Sequence, residues 1–323
     1  MTETETMPAV AVIGAGLMGR GIAVDFLDAG HPVTLADISQ TMLDQAPDAL
    51  FEALSTYRGW TDRSALDRPL RTVSLKAGDG LEQALAGATY VAEAVAEDLG
   101  IKRKLYAAID AATGPEVILA SNTSTLMPSD LAAACRRHPE RVLVAHYFNP
   151  AYLIPLVEIV PGPQTARDAV ERTTTLLRQT GKTPVALNKE VPGFIVNRLQ
   201  AALLREACAL VEDGVVSAAD LDTIMRTSMG RRWAAAGVFE VFDFGGWDVI
   251  HAVMANLCPD LADGKAVPSL IQARKDRDEL GVKSGRGFYD WSDPDQVTRA
   301  RRRIFRMLQE AERLAGKPPP ALW

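Results

Sequence analysis

Residues 10–37 read VAVIGAGLMGRGIAVDFLDAGHPVTLAD and join a short apolar run to a glycine-rich turn, a helix and a second apolar run. The run Val10–Ile13 predicts a strand, Met18–Ala29 predicts a helix, and Pro32–Ala36 predicts a second strand. A strand, a helix and a second strand in close succession form the repeating unit of a parallel sheet.

The same alternation continues to about residue 190. Five further strands are predicted at Tyr90–Ala94, Val117–Ala120, Val142–Ala145, Leu156–Val160 and Thr183–Leu187. Helices are predicted between them at 40–57, 100–112, 127–136 and 165–180. From Pro192 onward the strand signal fades and helical spacing takes over. The sequence therefore predicts an α/β domain over residues 1–188, with helices on both faces of a mostly parallel sheet, followed by an all-α domain over residues 189–323.

The composition is that of an ordinary globular protein, with 323 residues, 47% hydrophobic, 24% charged and a net charge of -6. Since the chain is acidic, no nucleic-acid partner is expected, and the basic run Arg299–Arg303 is interpreted as the solvated face of a late helix. No apolar stretch approaches the ~20 residues that a membrane-spanning helix needs. The start, MTETETMPAV, lacks the features of a secretory signal, so a cytoplasmic location is expected.

The three cysteines, Cys135, Cys208 and Cys258, lie far apart and show no CxxC spacing. They are expected to be buried free thiols, and no metal site is predicted.

The glycine-rich turn has the pattern GxGxxG, with Gly14, Gly16 and Gly19 at its fixed positions. The pattern alone is weak evidence, but here it follows a predicted strand and opens a predicted helix. The first glycine permits the tight turn, the second lets the backbone approach a pyrophosphate, and the third lets helix and strand pack closely. This context predicts a Rossmann-type dinucleotide site.

Asp37 ends the second predicted strand, 18 residues after Gly19. A carboxylate there accepts hydrogen bonds from a ribose diol and repels a 2′-phosphate, and neither Ile38 nor Ser39 supplies the arginine expected for NADP. NAD is therefore the predicted cofactor. FAD is a smaller alternative, because the rest of the chain matches no flavin pattern.

A second set of polar residues follows later strands. The stretch SNTST begins at Ser121, after the apolar run VILA, and His146 ends another predicted strand in RVLVAHYFNP. Glu158 lies inside the apolar run IPLVEIV, where a carboxylate is costly unless it is paired, so His146 is its candidate partner. Oxidation of an alcohol needs a base for the hydroxyl proton, and histidine titrates near neutral pH. The pattern predicts that His146 is this base.

Over nearly its whole length the chain resembles the 3-hydroxyacyl-CoA dehydrogenase family. The matching stretches, in order, are AVIGAGLMGRGIA, AEAVAEDLGIKRKLY, SNTS, HYFNP, LVEIV, VPGFIVNRL and GVKSGRGFYDW. The resemblance implies a dinucleotide-binding domain followed by a helical domain that binds substrate and forms a homodimer. It also implies a place in fatty acid metabolism.

The resemblance further implies roles for single residues. His146 would be the general base, with Glu158 orienting it. Ser124 would hydrogen-bond the substrate hydroxyl, and Asn197 would help to hold the substrate oxygen and the histidine.

The resemblance also implies three residues at the site that binds NAD. Glu97 and Lys102 would contact the nicotinamide half of NAD, and Asn149 would belong to the same cleft. The alternatives are a solvated ion pair for Glu97 and Lys102, and an N-cap or a buried amide for Asn197.

Two departures from the family pattern concern the substrate. Residues 55–72 lack the lysine that CoA-binding members carry there, although Arg58 and Arg63 could meet a phosphate. Residues 225–240, MRTSMGRRWAAAGVFE, are similar to the L-gulonate 3-dehydrogenase (lambda-crystallin) and carnitine dehydrogenase relatives, and Arg232 there could bind a substrate carboxylate.

The leading hypothesis from the sequence is therefore NAD-dependent oxidation of an L-3-hydroxyacyl-CoA, or the reverse reaction. Alternatives are a small free 3-hydroxy acid or a carrier-bound acyl group as the substrate. A non-catalytic NAD-binding structural protein is the alternative of another class.

Overall fold

The computed structural model describes residues 7–76 and 78–314, with side chains described as far as residue 311. The described chain forms two compact units, one ending at Phe194 and the other beginning at Ile195. The outer ends of the two predicted domains, residues 1–6 and 315–323, lie outside the described residues.

The first unit is built on one eight-stranded sheet in the order β3-β2-β1-β4-β5-β6-β7-β8. The strands are β1 (Ala9–Ile13), β2 (Val33–Asp37), β3 (Leu70–Ser74), β4 (Ala88–Glu93), β5 (Ile118–Ser121), β6 (Val142–Tyr147), β7 (Leu156–Pro161) and β8 (Thr183–Ala186). All neighbouring pairs are parallel except β6 and β7, which are antiparallel.

Six helices cover the two faces of this sheet. They are α1 (Leu17–Asp28), α2 (Gln40–Arg58), α3 (Gly80–Leu85), α4 (Leu99–Ala112), α5 (Pro128–Ala132) and α6 (Arg167–Gln179). Because side chains alternate along a strand, Val10 and Val12 enter one hydrophobic core while Ala11 and Ile13 enter the other. The predicted α/β class and mostly parallel sheet are confirmed.

Two elements of the first unit were not predicted, namely β3 and α3. In β3 only Val73 is fully buried, because this strand lies at the edge of the sheet. Helix α3 has 6 residues, which is too short for a helical period to show in the sequence. Both elements therefore lack the apolar pattern that identified their neighbours.

The order of the strands reverses between β1 and β4, which are adjacent although two strands intervene in the sequence. In open α/β sheets, ligands bind at the carboxyl ends of the strands beside such a reversal. Gly14 follows β1 directly and Glu93 ends β4, so both lie at this point.

The second unit is helical, with no strand among its described residues beyond isolated bridges at Gly281, Arg286 and Asp290. Its helices are α7 (Val196–Glu212), α8 (Ala218–Thr227), α9 (Met229–Trp233), α10 (Val238–Gly245), α11 (Trp247–Leu257), α12 (Ser269–Asp276) and α13 (Pro294–Leu314). Ser217 caps α8, since its Oγ accepts a hydrogen bond from the Asp220 amide at 3.1 Å. The predicted all-α second domain is confirmed.

Two smaller expectations concern the basic run and the cysteines. The arginines of the run Arg299–Arg303 are exposed on α13, as expected for a solvated helix face. Cys135 and Cys208 are buried free thiols, but Cys258 is exposed, so that part of the cysteine prediction was wrong. Among the described residues no helix is long and apolar enough to cross a membrane, and no group of three metal-ligating side chains is assembled.

Candidate active site

The three glycines of the turn after β1 differ in what surrounds them. Gly14 has a φ of +109°, and an added Cβ would lie 2.5 Å from the Ala94 carbonyl oxygen. At Gly19 an added Cβ would lie 1.8 Å from the carbonyl oxygen of Gly14. At Gly16 an added Cβ would meet nothing within 4 Å. The protein's own packing thus requires Gly14 and Gly19, whereas Gly16 borders open space.

The open space at Gly16 fits a pyrophosphate. Gly16 is the N-cap of α1 and has no side chain to cap the helix, and no side chain of the described residues is seen to accept a hydrogen bond from its first amides. These amides and the positive end of the helix dipole therefore remain available to an anion. The residues around the turn accordingly fit the dinucleotide that the sequence predicts.

Asp37 ends β2 beside this turn. Its Oδ2 accepts a hydrogen bond from the Ala15 amide at 2.6 Å, and its Oδ1 accepts one from the Ser39 amide at 2.7 Å. These bonds hold the carboxylate at the glycine-rich turn, where it is placed to receive a ribose diol. The next residue, Ile38, is exposed and uncharged, so it offers no positive side chain to attract a 2′-phosphate.

His146 and Glu158 form a buried hydrogen-bonded pair. They lie directly opposite each other in the antiparallel register of β6 and β7, so their side chains project from the same face. His146 Nδ1 lies 2.9 Å from Glu158 Oε2, and both side chains are almost fully buried. Phe148 and Phe194 pack against the imidazole with ring centroids 4.5 Å and 5.4 Å away. The ring is therefore fixed in both position and orientation.

Ser124 lies on the other side of the imidazole. Its Oγ is 3.2 Å from His146 Nε2. The turn that carries Ser124 follows β5 and is held by Glu97, whose Oε1 accepts hydrogen bonds from the Thr123 hydroxyl at 2.5 Å and the Ser124 amide at 3.1 Å. The structure thus brings Ser124, His146 and Glu158 together at the edge of the sheet where β1 and β4 end.

Glu97 is ionised in this setting. Partial burial by itself raises the pKa of its carboxyl group, but hydrogen bonds from Thr123, the charge of Lys102 and hydrogen bonds from Thr125 and Ser124 outweigh that effect. The pKa of Glu97 therefore lies below its ordinary value. The side chain is 41% exposed, so the charge also faces solvent.

Lys102 is not part of a solvated ion pair, because its side chain is only 1% exposed. Its Nζ lies 2.5 Å from Glu93 Oε1 and 3.5 Å from Glu97 Oε2. Sequence reasoning did not select Glu93, although it stands in the quoted stretch AEAVAED and ends a buried strand. An acidic residue at the carboxyl end of a central strand was the signal that could have identified it.

Three further predicted residues are Asn149 in the first unit and Asn197 and Arg232 in the second. Asn149 is exposed and follows β6, immediately before a cis peptide bond to Pro150. Asn197 is half-buried in the first turn of α7. Arg232 is exposed near the end of α9, and its guanidinium makes no ion pair within the described part of the chain. The roles predicted for these three residues stay predictions.

Comparison with known proteins agrees with this architecture. Residues 9–191 match the family model described as 3-hydroxyacyl-CoA dehydrogenase, NAD binding domain, and residues 193–291 match the model of the C-terminal domain of the same enzymes. The lambda-crystallin homolog of Bos taurus is 43% identical over 235 residues, which cover 72% of each chain.

Two further proteins are similar over a larger share of the chain. L-carnitine dehydrogenase of Streptomyces coelicolor is 35% identical over 319 residues, covering 89% of this chain and 97% of the relative. The crystal structure of 5-formyl-3-hydroxy-2-methylpyridine 4-carboxylic acid 5-dehydrogenase, described as an NAD+ dependent dismutase, superposes with a TM-score of 0.86. It is 30% identical and covers 97% of this chain and 100% of that one.

Proposed function

This chain belongs to the 3-hydroxyacyl-CoA dehydrogenase family, and from that premise we propose that it oxidises the hydroxyl of a small free 3-hydroxy acid with NAD. The observation that carries the chemistry is the hydrogen-bonded series Ser124, His146 and Glu158 at the dinucleotide edge of the sheet. The observation that favours a free acid is that Arg58, a candidate for binding a CoA phosphate, is already paired within the fold.

The proposed proton transfer follows from the partners of the imidazole. A carboxylate only accepts hydrogen bonds, so Glu158 holds the proton of His146 on Nδ1 and leaves the lone pair on Nε2. The Ser124 hydroxyl, 3.2 Å from Nε2, marks where the substrate oxygen binds. NAD, when bound, supplies the hydride acceptor. As the hydride leaves the carbinol carbon, Nε2 takes the hydroxyl proton and Glu158 stabilises the resulting imidazolium.

Arg58 is unsuited to binding a CoA phosphate because it is already engaged. Its Nη2 lies 3.3 Å from Oδ1 of the fully buried Asp25 and donates to the Tyr152 carbonyl oxygen at 3.1 Å. Its Nε lies 3.2 Å from Asp28 Oδ2. Turning Arg58 toward a ligand would remove one of the two cations, with Lys182, that compensate the buried carboxylate of Asp25.

Arg63 is also paired, with Asp48 at 3.1 Å and Asp67 at 3.7 Å, but these groups are well exposed and such surface pairs are weak. The substrates named for two of the relatives, L-carnitine and a pyridine carboxylic acid, carry a free carboxylate. The substrates of these relatives support a free acid, whereas the weak pairs of Arg63 leave this arginine able to meet a phosphate.

The second candidate substrate is the 3-hydroxyacyl-CoA of the initial hypothesis. It is supported by the stretch GVKSGRGFYDW at residues 281–291, which is similar to the acyl-CoA enzymes, and by 3-hydroxybutyryl-CoA dehydrogenases among the solved relatives. A carrier-bound acyl group is a variant of this candidate.

Rates of NADH formation distinguish the candidates. We expect kcat/KM for L-carnitine, L-gulonate or free 3-hydroxybutyrate to exceed that for 3-hydroxybutyryl-CoA by at least about tenfold, because only the free acids offer a carboxylate for a bidentate guanidinium contact. A preference for the thioester would restore the acyl-CoA hypothesis. Failure of every 3-hydroxy substrate would favour the non-catalytic alternative.

Arg232→Ala provides a test within the chain. If its free guanidinium binds the substrate carboxylate, KM for a free acid should rise about tenfold or more while kcat changes little, since this contact is the same in the ground state and the transition state. Arg231→Ala is the matched control, because Arg231 is an exposed neighbour on the same helix. Equal KM values for both variants and the wild type would contradict the assignment.

We also propose that the second unit mediates homodimerisation. It exposes a group of large apolar side chains, among them Phe239 at 76%, Phe244 at 88%, Trp247 at 49% and Val249 at 55%. Exposed apolar groups of this kind mark interaction surfaces. Light scattering should give a mass of about twice the 34.9 kDa of one chain. The cytoplasmic location remains a prediction of the sequence.

A further inference from the structure

Glu93 connects three segments at the point where the strand order reverses. Its Oε1 accepts hydrogen bonds from Lys102 Nζ at 2.5 Å and from the Val95 amide at 2.8 Å. Its Oε2 accepts one from the Ser121 hydroxyl at 2.6 Å. Glu93 thereby links the end of β4, where it lies, to Lys102 on α4 and to Ser121 at the end of β5.

The pair Glu93 and Lys102 is buried, so each charge compensates the other. The side chains are 0% and 1% exposed, and neither charge reaches solvent. At 2.5 Å the ammonium and the carboxylate act on their surroundings as a neutral group. Lys102 therefore contributes no net positive charge to the edge of the sheet.

Glu97 is left as the uncompensated charge of this cluster. It is ionised and 41% exposed, and its distance to Lys102 Nζ is 3.5 Å, against 2.5 Å for Glu93. Of the other charged residues at the start of α4, Asp98 is exposed at the N-cap and Arg103 pairs with Asp130. The cluster of Glu93, Lys102 and Glu97 thus has a net charge of about one negative unit.

The position of Glu97 relates this charge to the hydride acceptor. Glu97 Oε1 accepts a hydrogen bond from the amide of Ser124, whose hydroxyl contacts His146 Nε2. In the oxidation of an alcohol, hydride and proton leave the same carbinol group, so the ring that receives the hydride must bind next to the residue that receives the proton. The nicotinamide site therefore borders the turn that Glu97 holds.

The nicotinamide ring is a cation in NAD+ and neutral in NADH, so a fixed negative charge beside it stabilises the oxidised form more than the reduced form. We propose that Glu93 is a positioning residue that neutralises Lys102, so that the carboxylate of Glu97 sets a preference for binding NAD+ relative to NADH. The proposal rests on the use of NAD, which the proposed function shares, and not on the identity of the substrate.

The test is the ratio Kd(NADH)/Kd(NAD+), measured without substrate by calorimetry for NAD+ and by nucleotide fluorescence for NADH. Glu93→Gln leaves Lys102 uncompensated, and Glu97→Gln removes the exposed charge, so each variant takes the cluster from one negative unit to zero. Each should lower the ratio about five- to tenfold, as expected for one unit charge acting over several ångströms near a protein surface.

Two controls separate charge from packing. The double variant Glu93→Gln/Lys102→Met restores one net negative unit and should return the ratio to within about twofold of wild type, although the buried ion pair is gone. Ser121→Ala removes the hydrogen bond that this hydroxyl donates to Glu93 and the one that it accepts from the Thr123 amide. It changes no charge, so it should leave the ratio unaltered.

A ratio that stays at the wild-type value in both single variants overturns the proposal. A double variant that behaves like Glu93→Gln also overturns it, because the effect would then come from lost packing. If Glu93→Gln does not fold, Glu97→Gln and the double variant decide the question. Loss of turnover with every 3-hydroxy acid would contradict the proposed function but leave this ratio measurable.

Discussion

His146→Gln is expected to lower kcat by about 10²–10⁴, the range associated with loss of a general base. Glutamine approximates the size of the imidazole and still donates a hydrogen bond to Glu158, but it cannot take the hydroxyl proton at neutral pH. Since His146 contacts Ser124 and Glu158 and not the glycine-rich turn, the Kd for NAD+ should change by less than about threefold. Steady-state NADH formation and calorimetric binding measure the two quantities.

His138→Gln is the matched control for this variant. His138 lies in the same unit and pairs with Glu140 at 3.3 Å near the opposite end of β6, so its replacement should leave kcat within about twofold of wild type. Undiminished turnover in His146→Gln would remove His146 as the base. A parallel loss of NAD+ binding would show that the ring supports the cofactor site instead.

Gly16→Ala is expected to lose NAD+ binding but keep its stability, whereas Gly19→Ala is expected to lose stability. Gly16 has φ -70° and ψ -170°, extended backbone that alanine adopts readily, and an added Cβ meets nothing within 4 Å. The variant should therefore keep its Tm. Its added methyl group occupies the space through which a pyrophosphate approaches the amides of α1, so the Kd for NAD+ should rise by about 10²-fold or more, from lost charge-assisted hydrogen bonds.

At Gly19 the added methyl group would lie 1.8 Å from the carbonyl oxygen of Gly14, so α1 must move away from β1. Such overpacking costs about 3 kcal/mol, which for a unit of this size lowers Tm by about 6–12 °C. Gly264→Ala is the control, since a Cβ there meets nothing within 4 Å and no unusual φ is required. Calorimetric unfolding and NAD+ titration check all three variants, and equal behaviour of Gly16→Ala and Gly19→Ala would contradict the distinction.

Some features of the site depend on packing that no local pattern shows. The family resemblance implied that Glu97 and Lys102 contact NAD, with a solvated ion pair as the alternative, but Lys102 is buried and its closer partner is Glu93. Arg58 resembled a phosphate-binding residue, yet the fold directs it to Asp25 and to the carbonyl of Tyr152, 94 residues away. Glu93 and Lys102 lie on the consecutive elements β4 and α4, whereas Arg58 finds its partners on elements that are distant in sequence.

The strands also divide into those that the sequence identifies and one that it does not. Strands β1, β2 and β4 to β7 are predicted within a few residues because their apolar runs are buried. Strand β8 is also predicted, although only Pro184 in it is buried. Strand β3 was missed because an edge position leaves its side chains exposed. The reversal of direction between β6 and β7 cannot be read from either strand, because parallel and antiparallel strands show the same alternation when both faces are covered.

By itself the sequence determined the class of the fold, the glycine-rich turn and the candidates His146 and Glu158, because these depend on local periodicity and on polar residues within or at the ends of apolar runs. Ser124 was implied by the family resemblance. Only the tertiary structure decided that His146 faces Glu158 in register, that Glu93 neutralises Lys102 and that Arg58 is already paired. Which charged groups pair with each other is decided by how the strands and helices pack. The sequence implies that burying a charge such as that of Glu158 costs free energy, but only the fold shows which neighbouring side chain compensates it.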